Sequence, residues 1–164
     1  MEDLIIRKLE PKDAEISWKW RNDPEIWKYT DRSHNNFITK EIEQAWIEQG
    51  FAQANNKRFA ICVGKDQKYI GNVHLNIDDN DEASYHIFIG DKEYWGRGIA
   101  SKATSWLIEY THQELHLKKL IAKVHKDNQA SLGFLTKSGF RKIEKTLGNF
   151  VWLELPLNNR TITK

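Results

Sequence analysis

The chain has 164 residues, enough for one domain that buries about 70% of its unfolded surface. Its 40% hydrophobic and 12% aromatic content excludes a disordered chain, and its formal net charge of +2, from scattered basic residues, excludes nucleic-acid or membrane binding driven by bulk charge. No apolar stretch approaches about 18 residues, the acidic start "MEDLIIRKLE" lacks a signal-peptide pattern, and the single Cys62 excludes an internal disulfide framework, so a cytoplasmic setting is expected.

In chain order, "LIIRKL" (4–9) predicts a first strand. Pro11 opens a helical stretch through "DAEISWKWRN", with Ile16, Trp20 and Trp18 on its apolar side. Asn22-Asp23-Pro24 ends that helix, because a residue before proline is pushed out of the helical region. "TKEIEQAWIEQGFAQ" (39–53) predicts an amphipathic helix carrying Ile42, Ala45, Trp46 and Gln49 at helical spacing. The period then changes to two. "RFAICVG", "KYIGNVHLNI" and "ASYHIFIG" are successive strands joined by short polar turns, which implies an antiparallel meander, with Cys62 expected in the core.

After "EYWGRG", the positions Ile99, Ala100, Ala103, Trp106, Leu107 and Tyr110 mark a helix. "KKLIAKVHK" (118–126) is a strand reached by a crossover. "NQASLGFLTKSGF" is a second helix closing at Ser138-Gly139, since glycine is the usual stop just past a helix end. "RKIEKT" and "FVWLELPL" complete the strands, and about 157–164 reads as a loose tail. The pattern predicts a single α/β domain, residues 1–164, around one mixed and mostly antiparallel sheet flanked by helices.

Gly96 and Gly98 sit at the joint between a strand and a helix, where positive φ and close approach of a ligand to the backbone are both open to glycine. The following helix offers unpaired N–H groups and the positive end of its dipole, and Arg97 adds a cation, so the joint has the makings of a phosphate seat. A plain strand-to-helix turn would explain an isolated Gly-x-Gly equally well. A P-loop would need G-x-x-x-x-G-K-[S/T], which "GRGIASK" lacks. A dinucleotide fold would need a third glycine where Ser101 stands.

"EYWGRGIASKA" resembles the pyrophosphate-binding segment of the GNAT acetyltransferases, [Q/R]-x-x-G-x-[G/A]. Gly98 and Ala100 take its small-residue positions, and Trp95 stands where many members have Gln or Arg. "DNQASLGFLTKSGF" independently resembles that family's "N-x-x-[A/S]…K-x-G-F" helix through Asn128, Ser131, Lys137, Gly139 and Phe140. The likeness runs from about Leu4 to Leu155 and is nearest to the branch of ribosomal-protein-alanine and bacterial amino-sugar and polyamine acetyltransferases.

The resemblance implies direct transfer of an acetyl group from acetyl-CoA to a primary amine. It assigns the CoA seat to the main chain of Arg97, Gly98, Ile99, Ala100 and Ser101. It implies that the backbone of Phe88 and Ile89 pairs with the pantetheine arm, with one N–H polarising the thioester. Asn128, Ser131 and Lys137 would also contact CoA. Relatives often carry Glu where this chain has Ser84, so the carboxylate base is missing. His86 shares a strand face with Ser84 and becomes the candidate base, ahead of Glu82 and His74, although a hydrogen-bonded strand histidine has the same pattern. Leu135 replaces the family's Tyr, which leaves Ser131 as the candidate proton donor to sulfur.

For the acceptor, Trp20, Arg21, Asn22, Trp27 and Ser84 are the candidate contacts. Aromatic faces suit a sugar ring, although core packing is the commoner fate of Trp at helical spacing. The expected partner is a small-molecule amine such as an amino sugar, and a homodimer is compatible. A protein N-terminal acetyltransferase and a non-catalytic acyl-CoA-binding module are the alternatives.

Overall fold

Strand-forming residues with period two and helix formers with period 3.6 separate cleanly along this chain. The strands are β1 (Leu4–Lys8), β2 (Asn56–Val63), β3 (Lys68–Ile77), β4 (Glu82–Ile89), β5 (Lys119–His125), β6 (Arg141–Leu147) and β7 (Phe150–Pro156). The helices are α1 (Ala14–Arg21), α2 (Lys40–Phe51), α3 (Ile99–Gln113) and α4 (Gln129–Lys137), with short 3-10 turns at Pro11–Asp13 and Lys92–Tyr94. The computed structural model describes residues 3–30 and 36–157, with Thr146 and Leu147 described by backbone alone.

The strands form one sheet in the order β1-β2-β3-β4-β5-β7-β6. β1 to β4 are antiparallel neighbours, as the meander requires, and the crossover through α3 makes β5 parallel to β4. Side-chain alternation gives the sheet two apolar faces. On one face, Val73, Leu75, Ala83, Leu120 and Leu153 pack against Leu107 and Ile108 of α3 and Leu132 and Leu135 of α4. On the other, Ala60, Cys62, Tyr69 and Phe88 pack against Trp20 of α1, Trp27 and Ile47 of α2. Each fully buried side chain of this kind contributes about 1.5–3 kcal/mol.

Three expectations change. The inward face of α2 is Glu43, Ile47 and Gly50, while Ile42 is 50% exposed and Ala45 and Gln49 also face outward. The helix is turned by one residue because Glu43, 1% exposed, accepts the Ser17 hydroxyl and pairs with Arg21 at 3.3 Å. A carboxylate with such partners can point inward, and a pattern that counts carboxylates as surface residues misplaces it. In α1 the inward residues are Ala14, Ser17 and Trp20, and Ile16 is exposed. At the other end, Leu157 is fully buried and its amide donates to Lys118, so order extends through a position assigned to the tail; residues 158–164 lie outside the described residues.

Candidate active site

The parallel ladder between β4 and β5 has three rungs, Glu82–Lys119, Ala83–Leu120 and Ser84–Ile121, and then stops, although both strands continue for four or more residues. The two strands splay into a notch. Which backbone groups face it follows from alternation. Gly90 donates to Ile70 and Glu82 accepts from Asp78, so even-numbered residues of β4 bond β3, whereas Asp81 accepts from Lys118 on the β5 side. The main-chain groups of Ile87 and Ile89 therefore face the notch. Phe88, expected to share that role, has its backbone committed to β3 and its side chain buried in the α1–α2 layer.

Because β4 and β5 run in parallel, their C-terminal ends deliver α3 and α4 to one edge of the sheet, at the mouth of the notch. Gly98 is the N-cap of α3 at φ +75°, and Gly96 has φ +74°, so both use a region that L side chains rarely adopt. A Cβ at either glycine would meet nothing within 4 Å, so the loop's surface is open. The first α-helical bond of α3 is donated by Lys102, which leaves the amides of Ile99, Ala100 and Ser101 ahead of it, and the first turn holds no acidic residue. Arg97 is exposed above the Tyr94 ring, 4.8 Å from its centroid. Trp95 donates its indole N–H to the Ile89 carbonyl at 2.8 Å and ties the glycine loop to the notch.

Asn128 is the N-cap of α4 and accepts the Ser131 amide at 3.3 Å, so both stand at the same edge as Gly98. Lys137 does not join them. It lies in the last turn of α4, about 13 Å along the axis from Asn128 at 1.5 Å per residue, beside the Gly139 stop at φ +102°. Leu135 is buried in the core.

On the α1–α2 face, beside the open stretch of β4, His86 stacks on Trp27 with centroids 5.8 Å apart and lies opposite His74 in the β3–β4 register. His74, 8% exposed, touches the Trp46 ring at 4.9 Å. Arg21 lies between Trp27 and Trp46, 5.6 and 5.0 Å from their centroids. Ser84 is exposed at the last rung of the ladder.

Two sequence-predicted acceptor residues are spent on structure instead. Trp20 is 8% exposed with its ring against Gly90, where a Cβ would collide with it. Asn22 donates to the carbonyls of Trp18 and Ile38 and accepts the Ile38 amide, which clips the segment entering α2 to the end of α1. Trp27 is 4% exposed and donates its indole N–H to the Trp20 carbonyl, so it presents a wall rather than an open stacking platform. The sequence reading missed His125 and Tyr29, whose rings meet 5.6 Å apart at the C-terminal end of β5. Alternation of Ile121, Lys123 and His125 along β5 carried the signal for the histidine; nothing local marked the tyrosine.

Comparison with known proteins gives a consistent result. A family model described as an acetyltransferase (GNAT) domain matches residues 3–141. The chain is 32% identical to an uncharacterized N-acetyltransferase p20 of Bacillus licheniformis over 86% of this chain and 80% of that protein. It is 25% identical to the uncharacterized N-acetyltransferase YnaD of Bacillus subtilis over 85% of this chain and 79% of that one. Among solved structures, a spermidine N-acetyltransferase from Vibrio cholerae in complex with CoA and spermine superposes with a TM-score of 0.82 at 19% identity, covering 94% of this chain and 95% of that one. That last likeness concerns the fold.

Proposed function

From the premise that this chain belongs to the GNAT acetyltransferases and is an N-acetyltransferase, we propose that it takes acetyl-CoA as donor and acetylates the primary amine of a small molecule, with amino sugars as the preferred class. The observation that carries the donor side is the notch, whose ladder stops after Ser84–Ile121 beside two helix N-termini. The residues fit a pyrophosphate-bearing thioester: open amides and no acid at the start of α3, and an unpaired strand edge for an amide-rich arm.

When bound, acetyl-CoA supplies a thioester carbonyl open to attack by an amine. The Ile89 amide, aimed into the notch, donates to the oxygen where negative charge develops. The amides of Ile99, Ala100 and Ser101 and the Arg97 guanidinium hold the diphosphate, and Asn128 borders the same mouth. His86 accepts the proton that the amine loses, directly or through water, with Trp27 fixing the plane of its ring. The Ser131 hydroxyl, on the first turn of α4, returns a proton to the departing sulfur.

The acceptor assignment rests on the wall of Trp27, Arg21 and His86 and on the charge around it. Among the described residues, Glu43 pairs with Arg21, while Glu82 and Glu154 share the single Lys119 at the far end of the ladder. A polycation would meet Arg21 rather than a free acid, which favours a neutral ring bearing one amine. The test is a coupled thiol-release assay comparing kcat/KM for amino sugars, aminoglycosides, spermidine and peptides with N-terminal Ala or Ser. A peptide or spermidine preferred about tenfold or more over every sugar overturns the acceptor class. Binding of acetyl-CoA without turnover on any amine makes the chain an acyl-CoA-binding module.

A further inference from the structure

At the end of the sheet away from the glycine loop, a groove of about 340 Å³ opens between the C-terminal end of α2, the start of β2 and the last turn of α3. None of the notch residues lines it. Its apolar surface includes the rings of Phe51, Phe59 and Tyr110, and its charged surface is Lys8, Lys57 and Arg58. Among the described residues, no carboxylate lines it. We propose that this groove is a binding site, separate from the acyl-transfer site, for a small organic carboxylate with an aromatic or aliphatic body.

Three observations support that chemistry. First, the volume falls in the range of about 300–1,000 Å³ typical of small-molecule pockets. Second, the charge is one-sided. Among the described residues, none of Lys8, Lys57 and Arg58 has an ion-pair partner within 4.0 Å. The carboxylate whose charge acts on Arg58, that of Glu43, is held by Arg21 and Ser17. Burial, and then the charge of Arg21, hold the Arg58 pKa below the ordinary guanidinium value, so an added anion would relieve a local excess of positive charge. Third, the rings and cations are interleaved: the Lys8 ammonium stands 5.3 Å from the Phe51 centroid, and Phe59 meets Tyr110 edge-on at 5.5 Å. A flat apolar body can lie on such rings while a carboxylate reaches the ammonium groups.

One part of this charge has an internal use. Arg58 stacks on Trp46, 3.8 Å from its centroid, and donates to the Trp46 carbonyl in the body of α2. That role occupies one N–H of one guanidinium and leaves both lysines. Inorganic phosphate, lacking the apolar body, should not compete.

The test titrates the full-length protein with 3-phenylpropionate, its neutral amide and inorganic phosphate, following the aromatic resonances of Phe59 and Tyr110 by NMR. The carboxylate should saturate, with the amide at least about tenfold weaker and phosphate silent. Saturating CoA should leave the titration unchanged. Lys8→Glu/Lys57→Glu should weaken the carboxylate about tenfold or more while acetyl transfer stays at the wild-type rate. An amide that binds as well as the acid, displacement of the acid by CoA, or an unaffected charge-reversed variant each overturns the proposal. Lys8→Gln/Lys57→Gln, in which no charge is reversed, serves if the first variant fails to fold.

Discussion

Replacing Gly98 separates two consequences that are usually confounded, backbone strain and loss of an anion seat. At φ +75°, with nothing within 4 Å of an added Cβ, the folded state offers room but the wrong backbone region. The cost for alanine is then conformational, about 1–2 kcal/mol. A domain of this length moves its Tm by roughly 2–4 °C per kcal/mol, so ligand-free Gly98→Ala should melt roughly 2–8 °C below wild type. Gly133, inside α4, also has open space around its Cβ but no positive φ. Alanine there should raise stability by about 0.5–1 kcal/mol. Gly98→Val adds branched bulk beside the amides of Ile99 and Ala100. Losing one charge-assisted hydrogen bond costs about 1.5–3 kcal/mol, so acetyl-CoA should bind at least about tenfold more weakly. Differential scanning fluorimetry and isothermal titration calorimetry measure both effects. In the wild type, acetyl-CoA at about a hundredfold excess over Kd should add about 2.7 kcal/mol of stability. Unchanged affinity in Gly98→Val would refute the seat, and equal melting losses in Gly98→Ala and Gly133→Ala would refute the strain argument.

His86→Ala should lower kcat about 10²-fold with acetyl-CoA affinity intact; wild-type turnover in a folded variant would move the base to His74, Glu82 or water. Glu43→Gln leaves the Arg21 guanidinium, 12% exposed, without its carboxylate and should cost about 3–5 kcal/mol in urea unfolding. A loss below about 1 kcal/mol would class the pair with ordinary surface bridges. Gly90→Ala drives a Cβ into the Trp20 ring and should destabilise by about 1–3 kcal/mol, whereas wild-type melting would mean that Trp20 moves freely. Burial, followed by the charge of Asp13, pushes the Tyr69 hydroxyl's pKa far above its ordinary value. A raised folded pKa gives stability that is present below the unfolded value, about 10, and lost as pH rises above it. Tyr69→Phe should flatten that alkaline loss while costing about 1–3 kcal/mol at neutral pH, because buried Asn72 loses its donor; an unaltered alkaline slope would assign the loss to another group.

Local pattern determined most of the architecture. The period-two runs of β2, β3 and β4 and their short turns allow little besides a meander, and the glycines at 96 and 98 mark a joint that needs positive φ. The two motifs around Gly98 and Asn128 could be placed on helix N-termini because caps and glycine stops are properties of neighbouring residues. What tertiary structure alone decided was every choice that depends on a distant partner. Glu43 turns inward because Ser17 and Arg21, 26 and 22 positions earlier in the chain, meet it there. Trp20 becomes core because Gly90, just past the end of β4, leaves room for its ring. Ile89 rather than Phe88 addresses the notch because ladder parity is set by the pairing of β4 with β3, which composition does not encode. His125 meets Tyr29 only once the fold has brought the end of β5 to the segment that follows α1. A chain's own periodicity fixes which way each residue can point, and long-range pairing fixes what it then meets.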